Sequence, residues 1–171
     1  MSAVVIDTNV LLLADGQGKH MSDDCRIACE ARLRAVQAGE QTVLDDRWFI
    51  LGEYRHKLDP NRSPTPGSAF IKWLLQRQGM PQHVSWVSIT PSNAEQTKFA
   101  EFPPDAGLEE AFDPADRKFV AAAHAHAEKP PILESADSKW LGWEANLAAH
   151  GIHLEILCRG ELEEIRKKKT S

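Results

Sequence analysis

Four acidic residues, Asp7, Glu53, Asp116 and Asp137, sit where carboxylates could do chemistry. Asp7 follows Val4-Val5-Ile6, an apolar, β-branched run that reads as a short buried strand. An ionised carboxylate beside that much apolar surface is costly unless something offsets it. A metal ion is one such partner; hydrogen bonds from Thr8, Asn9 and nearby amides are the plainer one. Asp137 repeats the arrangement after Ile132–Glu134, and its plainer role is to cap a helix beginning at Ser138-Lys139-Trp140. Asp116 falls at the third position of a helix opened by Asp113 and Pro114, where a capping-box acid belongs. Yet Val120, Ala123 and Ala127 follow it at helical spacing. Asp116 therefore also begins the apolar face, with Arg117, His124 and Glu128 on the wet one. Glu53 lies at the margin of the apolar face of a helix over 46–58, with Lys57 as its plainer partner. No Lys or Arg is evident among the four. Clustered carboxylates repel, and without a cation some must bind protons. Oxygen-rich acidic sites suit Mg²⁺ or Mn²⁺, which can polarise a phosphodiester and generate hydroxide from water.

The elements that must position these acids alternate. Strands are read at Val4–Ile6, Gln41–Asp45, Val84–Thr90, Ile132–Glu134 and Ile152–Leu157, with helices between them, so the class is α/β with a mainly parallel sheet. Right-handed crossovers bring the carboxyl ends of the strands to one edge, where ligands of open α/β sheets bind. Asp7 and Asp137 belong on that edge, as does the first turn of the helix carrying Asp116. Glu53 comes from inside a helix and is the hardest to place. Ser22 caps a helix that runs to Gly39. Asp59–Gly67 is Pro-rich and reads as a loop. The 91–107 stretch is irregular, apart from a short helix near Ala94–Ala100. The charged 159–171 stretch reads as a solvated, frayed tail behind a single domain over 1–158.

Composition narrows the classes. The 171 residues are 42% apolar and 26% charged, as in a soluble globular domain. A formal charge of -5 is not the basic footprint that favours nucleic acid, though an acidic cation site accounts for part of the deficit. If an RNA backbone is bound, Arg117, Lys118 and Lys139 are among the bases able to contact it. No run approaches the ~20 apolar residues of a membrane helix, and Asp7 interrupts the only N-terminal apolar run, so no secretory signal is expected. Three cysteines, an odd number, argue against a disulfide framework and for a reducing cytoplasm. Cys25, Cys29 and His20 fall short of a closed zinc site.

The motif Asp7-Thr8-Asn9-Val10-Leu11, followed in order by Glu53, Asp116 at the head of an Ala-rich helix, and Asp137 after a short strand, resembles the PIN-domain family. The nearest likeness is to bacterial PIN proteins of the VapC-like toxin type, over roughly residues 3–157. The resemblance implies a PIN-like three-layer α/β/α fold and a cytoplasmic metal-dependent endoribonuclease. In it Asp7, Glu53, Asp116 and Asp137 bind one or two Mg²⁺ or Mn²⁺ and position the attacking water. It also implies support of Asp7 by Thr8 and Asn9, orientation of the site by Ser135, an RNA substrate, an antitoxin protein as partner and a homodimer, with Trp140 and Trp143 available to an interface or to the core. Residues 59–67 and 91–112 read as insertions to that pattern. Two other readings are kept. One is a catalytically inactive PIN-like RNA-binding module or scaffold. The other is an aspartyl phosphohydrolase, which would favour an acid where Asn9 stands.

Overall fold

The computed structural model describes residues 2–18, 20–61 and 65–170. Among them five strands form one all-parallel sheet, flanked by eight helices in three layers, as the alternation of elements requires. Strand β1 (Ala3–Ile6) is central and wholly buried. It pairs with β2 (Gln41–Asp45) on one side and β4 (Ile132–Glu134) on the other; β3 (Val84–Val87) and β5 (Leu154–Ile156) are the edges. The chain moves outward from β1 through β2 to β3, then returns to the other side of β1 for β4 and β5. The order therefore reverses between β1 and β4. The crevice beyond their carboxyl ends is the switch point at which open α/β sheets bind ligands. Ile6 pairs in register with Leu133, so Asp7 and Glu134, the next residues, emerge side by side there.

Helices cover both faces. Asp7 caps α1 (Thr8–Ala14), accepting from the Asn9 amide. Ser22 caps α2 (Asp23–Gly39), which carries Asp23 and Asp24 in its first turn. α3 (Phe49–Lys57) buries Ile50, Leu51 and Tyr54. Its start is later than the expected residue 46, because the Asp45 carboxylate accepts from the Arg47, Phe49 and Ile50 amides and takes the first turn for itself. α4 (Pro66–Leu75) begins inside the Pro-rich stretch that was expected to be loop throughout. Pro66 suits a first helical position. Gly67 lies against α1, where an added Cβ would stand 2.2 Å from the Leu11 carbonyl oxygen. The loop residues 62–64 lie outside the described residues.

The irregular stretch after β3 contains no helix near 94–100. Asn93 instead accepts from the Thr97 and Lys98 amides, and Ile89, Phe99 and Phe102 are buried. A short α5 (Ala106–Ala111), capped by Asp105, forms where none was expected. A 3-10 turn (Pro114–Asp116) leads into α6 (Arg117–Ala125), whose Phe119 to Ala123 run is buried. Arg117 is not on a wet face: it is 5% exposed and donates to the Glu109 and Thr97 carbonyls, tying the irregular stretch to α6. In α7 (Lys139–Ala149) Trp140 is fully buried and Trp143 stacks on Phe112, centroids 3.8 Å apart, so these aromatics are core.

The C-terminal stretch is not a frayed tail. α8 (Arg159–Thr170) buries Leu162, Arg166 donates to the Ser138 carbonyl, and Glu161 accepts from Ser22. Cys158, just before it, is disulfide-bonded to Cys25 in α2, with Cα atoms 5.6 Å apart. This overturns the expectation of unpaired thiols: an odd count leaves one cysteine over, here the buried Cys29, but does not stop the other two from pairing. The thiol-based case for a reducing compartment falls with it. No described helix is long and apolar enough to cross a membrane.

Candidate metal centre

The four expected acids do not form one cluster: Asp116 and Asp137 converge, Asp7 lies deeper, and Glu53 is held separately. Asp116 and Asp137 come together, joined by Asp113: one carboxylate oxygen from each lies within 4.8 Å of the others, and all three residues are half-buried. The 3-10 turn supplies Asp113 and Asp116, and the turn after β4 supplies Asp137. Asp113 was expected only to cap a helix. It makes no side-chain cap bond and instead accepts from the Lys139 ammonium. Ala136, just before Asp137, has φ +72°, a left-handed conformation that costs a non-glycine residue on the order of 1–3 kcal/mol. That kink turns the chain so that Asp137 faces the crevice and accepts from the Lys139 amide at 3.1 Å. The His20 ring nitrogen lies 2.9 Å from the Ala136 carbonyl oxygen.

Asp7 lies deeper, only 2% exposed, beside Glu134, which is completely buried. Neither carboxylate oxygen of Glu134 has a hydrogen-bond donor. The Asp7 carboxyl beside it can bond to it only by sharing a proton. Glu134 was read only as the end of a strand. The signal that could have exposed it is the parallel register, which places the residue after Leu133 beside the residue after Ile6. The contrast with Asp45 is instructive. That strand-end acid is equally buried, but three backbone amides satisfy it.

Glu53 stands apart from the three aspartates. Thr8 donates to one of its oxygens and Lys118 to the other at 2.9 Å, with both charged side chains largely buried. The cation expected to be missing from the cluster is thus present on α6, and Glu53's partner is Lys118, not its helical neighbour Lys57. Next to Glu53, the Tyr54 hydroxyl donates to the Ile6 carbonyl and fixes α3 to the end of β1. Ser135 is fully buried, and the Cys29 thiol donates to its hydroxyl at 3.7 Å; its carbonyl accepts from the Asp137 amide. Asn9 and Asp137 line a cleft of about 480 Å³ that opens from the acids towards α8.

Burial and mutual repulsion hold protons on these acids. Burial chiefly, then the Glu53 and Asp137 charges, lift the Asp7 carboxyl to about 6. Burial chiefly, then Asp7, Asp137 and Asp113, lift Asp116 to about 8. Burial, with Asp7, Asp137 and Asp116 around it, raises Glu134 well above the usual carboxylate range. Lys118 and Lys139 therefore do not balance the negative charge collected here. A hard divalent cation held by carboxylate oxygens would. Comparison with protein-family models, with curated proteins and with solved structures finds no match.

Proposed function

We propose that this chain is a divalent-metal-dependent endoribonuclease with a PIN-like arrangement of acids, hydrolysing RNA phosphodiesters at the β1–β4 crevice. The observation that carries the reading is the convergence of Asp113, Asp116 and Asp137, with oxygens within 4.8 Å of one another, near the buried Asp7–Glu134 pair, in which the only bond to Glu134 is the proton it shares with Asp7. Buried carboxyls short of donors cost on the order of 1–3 kcal/mol or more unless something joins them. The donor set is all oxygen, which fits Mg²⁺ or Mn²⁺ and not a thiolate-seeking metal. Asp113, Asp116 and Asp137 would hold the ion, with Asp7 completing the set from below and Glu134 stiffening Asp7. Once bound, such an ion polarises a phosphodiester, lowers the pKa of water and stabilises the leaving oxygen. Glu53, fixed by Thr8 and Lys118, is placed to orient water at the rim. Asp7 is too enclosed for direct attack on a phosphoryl group, which gives no support to an aspartyl phosphohydrolase. The choice of RNA, an antitoxin partner, a homodimer and a cytoplasmic setting follow from the resemblance in the sequence.

One observation favours the non-catalytic reading: Lys118 and Lys139 already occupy Glu53 and Asp113. Cleavage of a mixed RNA in Mg²⁺ or Mn²⁺, in EDTA, and by Asp116→Asn separates the two. Metal-dependent cleavage lost in a folded Asp116→Asn protein is expected. Absence of cleavage together with no stabilisation by Mn²⁺ would leave the scaffold reading in its place.

A further inference from the structure

The cleft beside the acids has two unlike walls. Ala136, Asp137 and Lys139 form one, Ile165 and Lys169 of α8 form the other, and Asn9 and His20 complete the lining. Its volume, about 480 Å³, lies within the range of pockets that take small organic groups, about 300–1,000 Å³. Ala136 and Ile165 give the lining apolar surface, and Lys139 and Lys169 give it cations. Lysines in the last turn of a helix are favoured by the helix dipole whatever else they do. That accounts for the run Lys167-Lys168-Lys169 but not for the way it is split: Lys167 borders a different hollow with Arg159 and Arg166, while Lys169 shares the cleft with Asp137. The wall is also held in place before any ligand arrives, by the Cys25–Cys158 disulfide, the buried Leu162 and the Arg166 bond to the Ser138 carbonyl. Such preorganisation lowers the entropy cost of gripping a flexible chain.

We propose that this cleft is the subsite for the nucleotide adjoining the scissile phosphodiester of single-stranded RNA, with Lys169 and Lys139 on its phosphate and Ala136 and Ile165 against its base or ribose. The assignment rests on the ribonuclease reading for the neighbouring acids. α8 then belongs to the substrate-binding apparatus.

The test is fluorescence anisotropy of a labelled, mixed-sequence single-stranded oligoribonucleotide, with Ca²⁺ in place of Mg²⁺, titrated at several salt concentrations, alongside cleavage by the same proteins in Mg²⁺ or Mn²⁺. Lys169→Ala should weaken binding several-fold and reduce the salt slope by about 0.7, the value for one phosphate contact on a single strand. Lys169→Glu should weaken it further, and Lys167→Ala should leave it near wild type. Unchanged binding by both Lys169 variants, or an equal loss in Lys167→Ala, would overturn the subsite. Preferential binding of single-stranded DNA of the same sequence would overturn the assignment to RNA. Lys169-dependent binding by a protein that cleaves nothing would uphold the cleft and sink the nuclease reading. Cleavage that ignores Lys169 would uphold the nuclease and sink the cleft.

Discussion

Asp7→Asn should stabilise the metal-free protein while removing its response to metal. Below the usual carboxylate pKa of 3.8, Asp7 is protonated both folded and unfolded. As the pH rises, the unfolded chain releases that proton first, whereas the folded protein holds it until about 6. Between those values the folded state binds the extra proton, so stability falls with pH and levels off above about 6. The gap of about two pKa units at 1.36 kcal/mol each puts the cost at pH 8 at about 3 kcal/mol. Asparagine carries no charge and does not incur it. Its oxygen can still accept from the Asn9 amide and cap α1, and its amide can donate to a Glu134 carboxyl oxygen in place of the shared proton. The assay is urea unfolding of wild type and variant in EDTA at pH 5 and pH 8, with the disulfide intact. The difference between the two proteins reports Asp7 together with the acids coupled to it, Glu134 and Asp116, and cancels the remaining groups. The variant should gain up to about 3 kcal/mol at pH 8, or roughly 6–12 °C in Tm at 2–4 °C per kcal/mol, and about half of that at pH 5. Mn²⁺ should stabilise the wild type only. A variant less stable than wild type at pH 8 would refute the claim that burial and neighbouring acids destabilise the Asp7 charge.

Two further outcomes follow from the same electrostatics. Mn²⁺ binding at pH 7 should release about one proton, chiefly from Asp116 with its pKa near 8, and fewer at pH 9; calorimetry in buffers of different ionisation heat gives the count, and no release would remove Asp116 from the ligand set. Lys118→Met should lower stability in EDTA by about 1–3 kcal/mol, because Glu53 keeps only its Thr8 bond. Added Mn²⁺ should recover much of that loss; unfolding curves that Mn²⁺ leaves unmoved would show that Lys118 serves packing alone.

Local pattern carried the sheet and the expected acids into view, because strand-end acids and the first turns of helices announce themselves at short range. β2 and β4 have the bounds that the sequence pattern predicts, Gln41–Asp45 and Ile132–Glu134. What local pattern could not carry was pairing across the chain. Glu134 matters only through its register with Asp7, and Lys118 only because α6 crosses close to α3. Asp113 looks like a cap in every respect except that Lys139, 26 residues away, holds it. α5 was too short to show a helical period, with Gly107 in its first turn. The C-terminal helix has a single buried anchor, Leu162, so its polar sequence looks solvated until the disulfide is known. Parity of the cysteine count bears on how many thiols remain and not on whether any pair.

That disulfide gives the molecule the connectivity of a ring with two loose ends. Joining Cys25 to Cys158, 133 positions apart, encloses β2 through β5 and α3 through α7 in one covalent loop. Only β1, α1 and the first residues of α2 lie upstream of the closure, and α8 lies downstream. Asp7 therefore enters as a thread laid between two strands of the ring, and Lys169 hangs just beyond its knot. In the chain-entropy limit such a loop constrains the unfolded state by about 5 kcal/mol. That is as large as the whole net stability of many domains, about 5–15 kcal/mol. Opening the ring should therefore lower stability without breaking a contact at the acids.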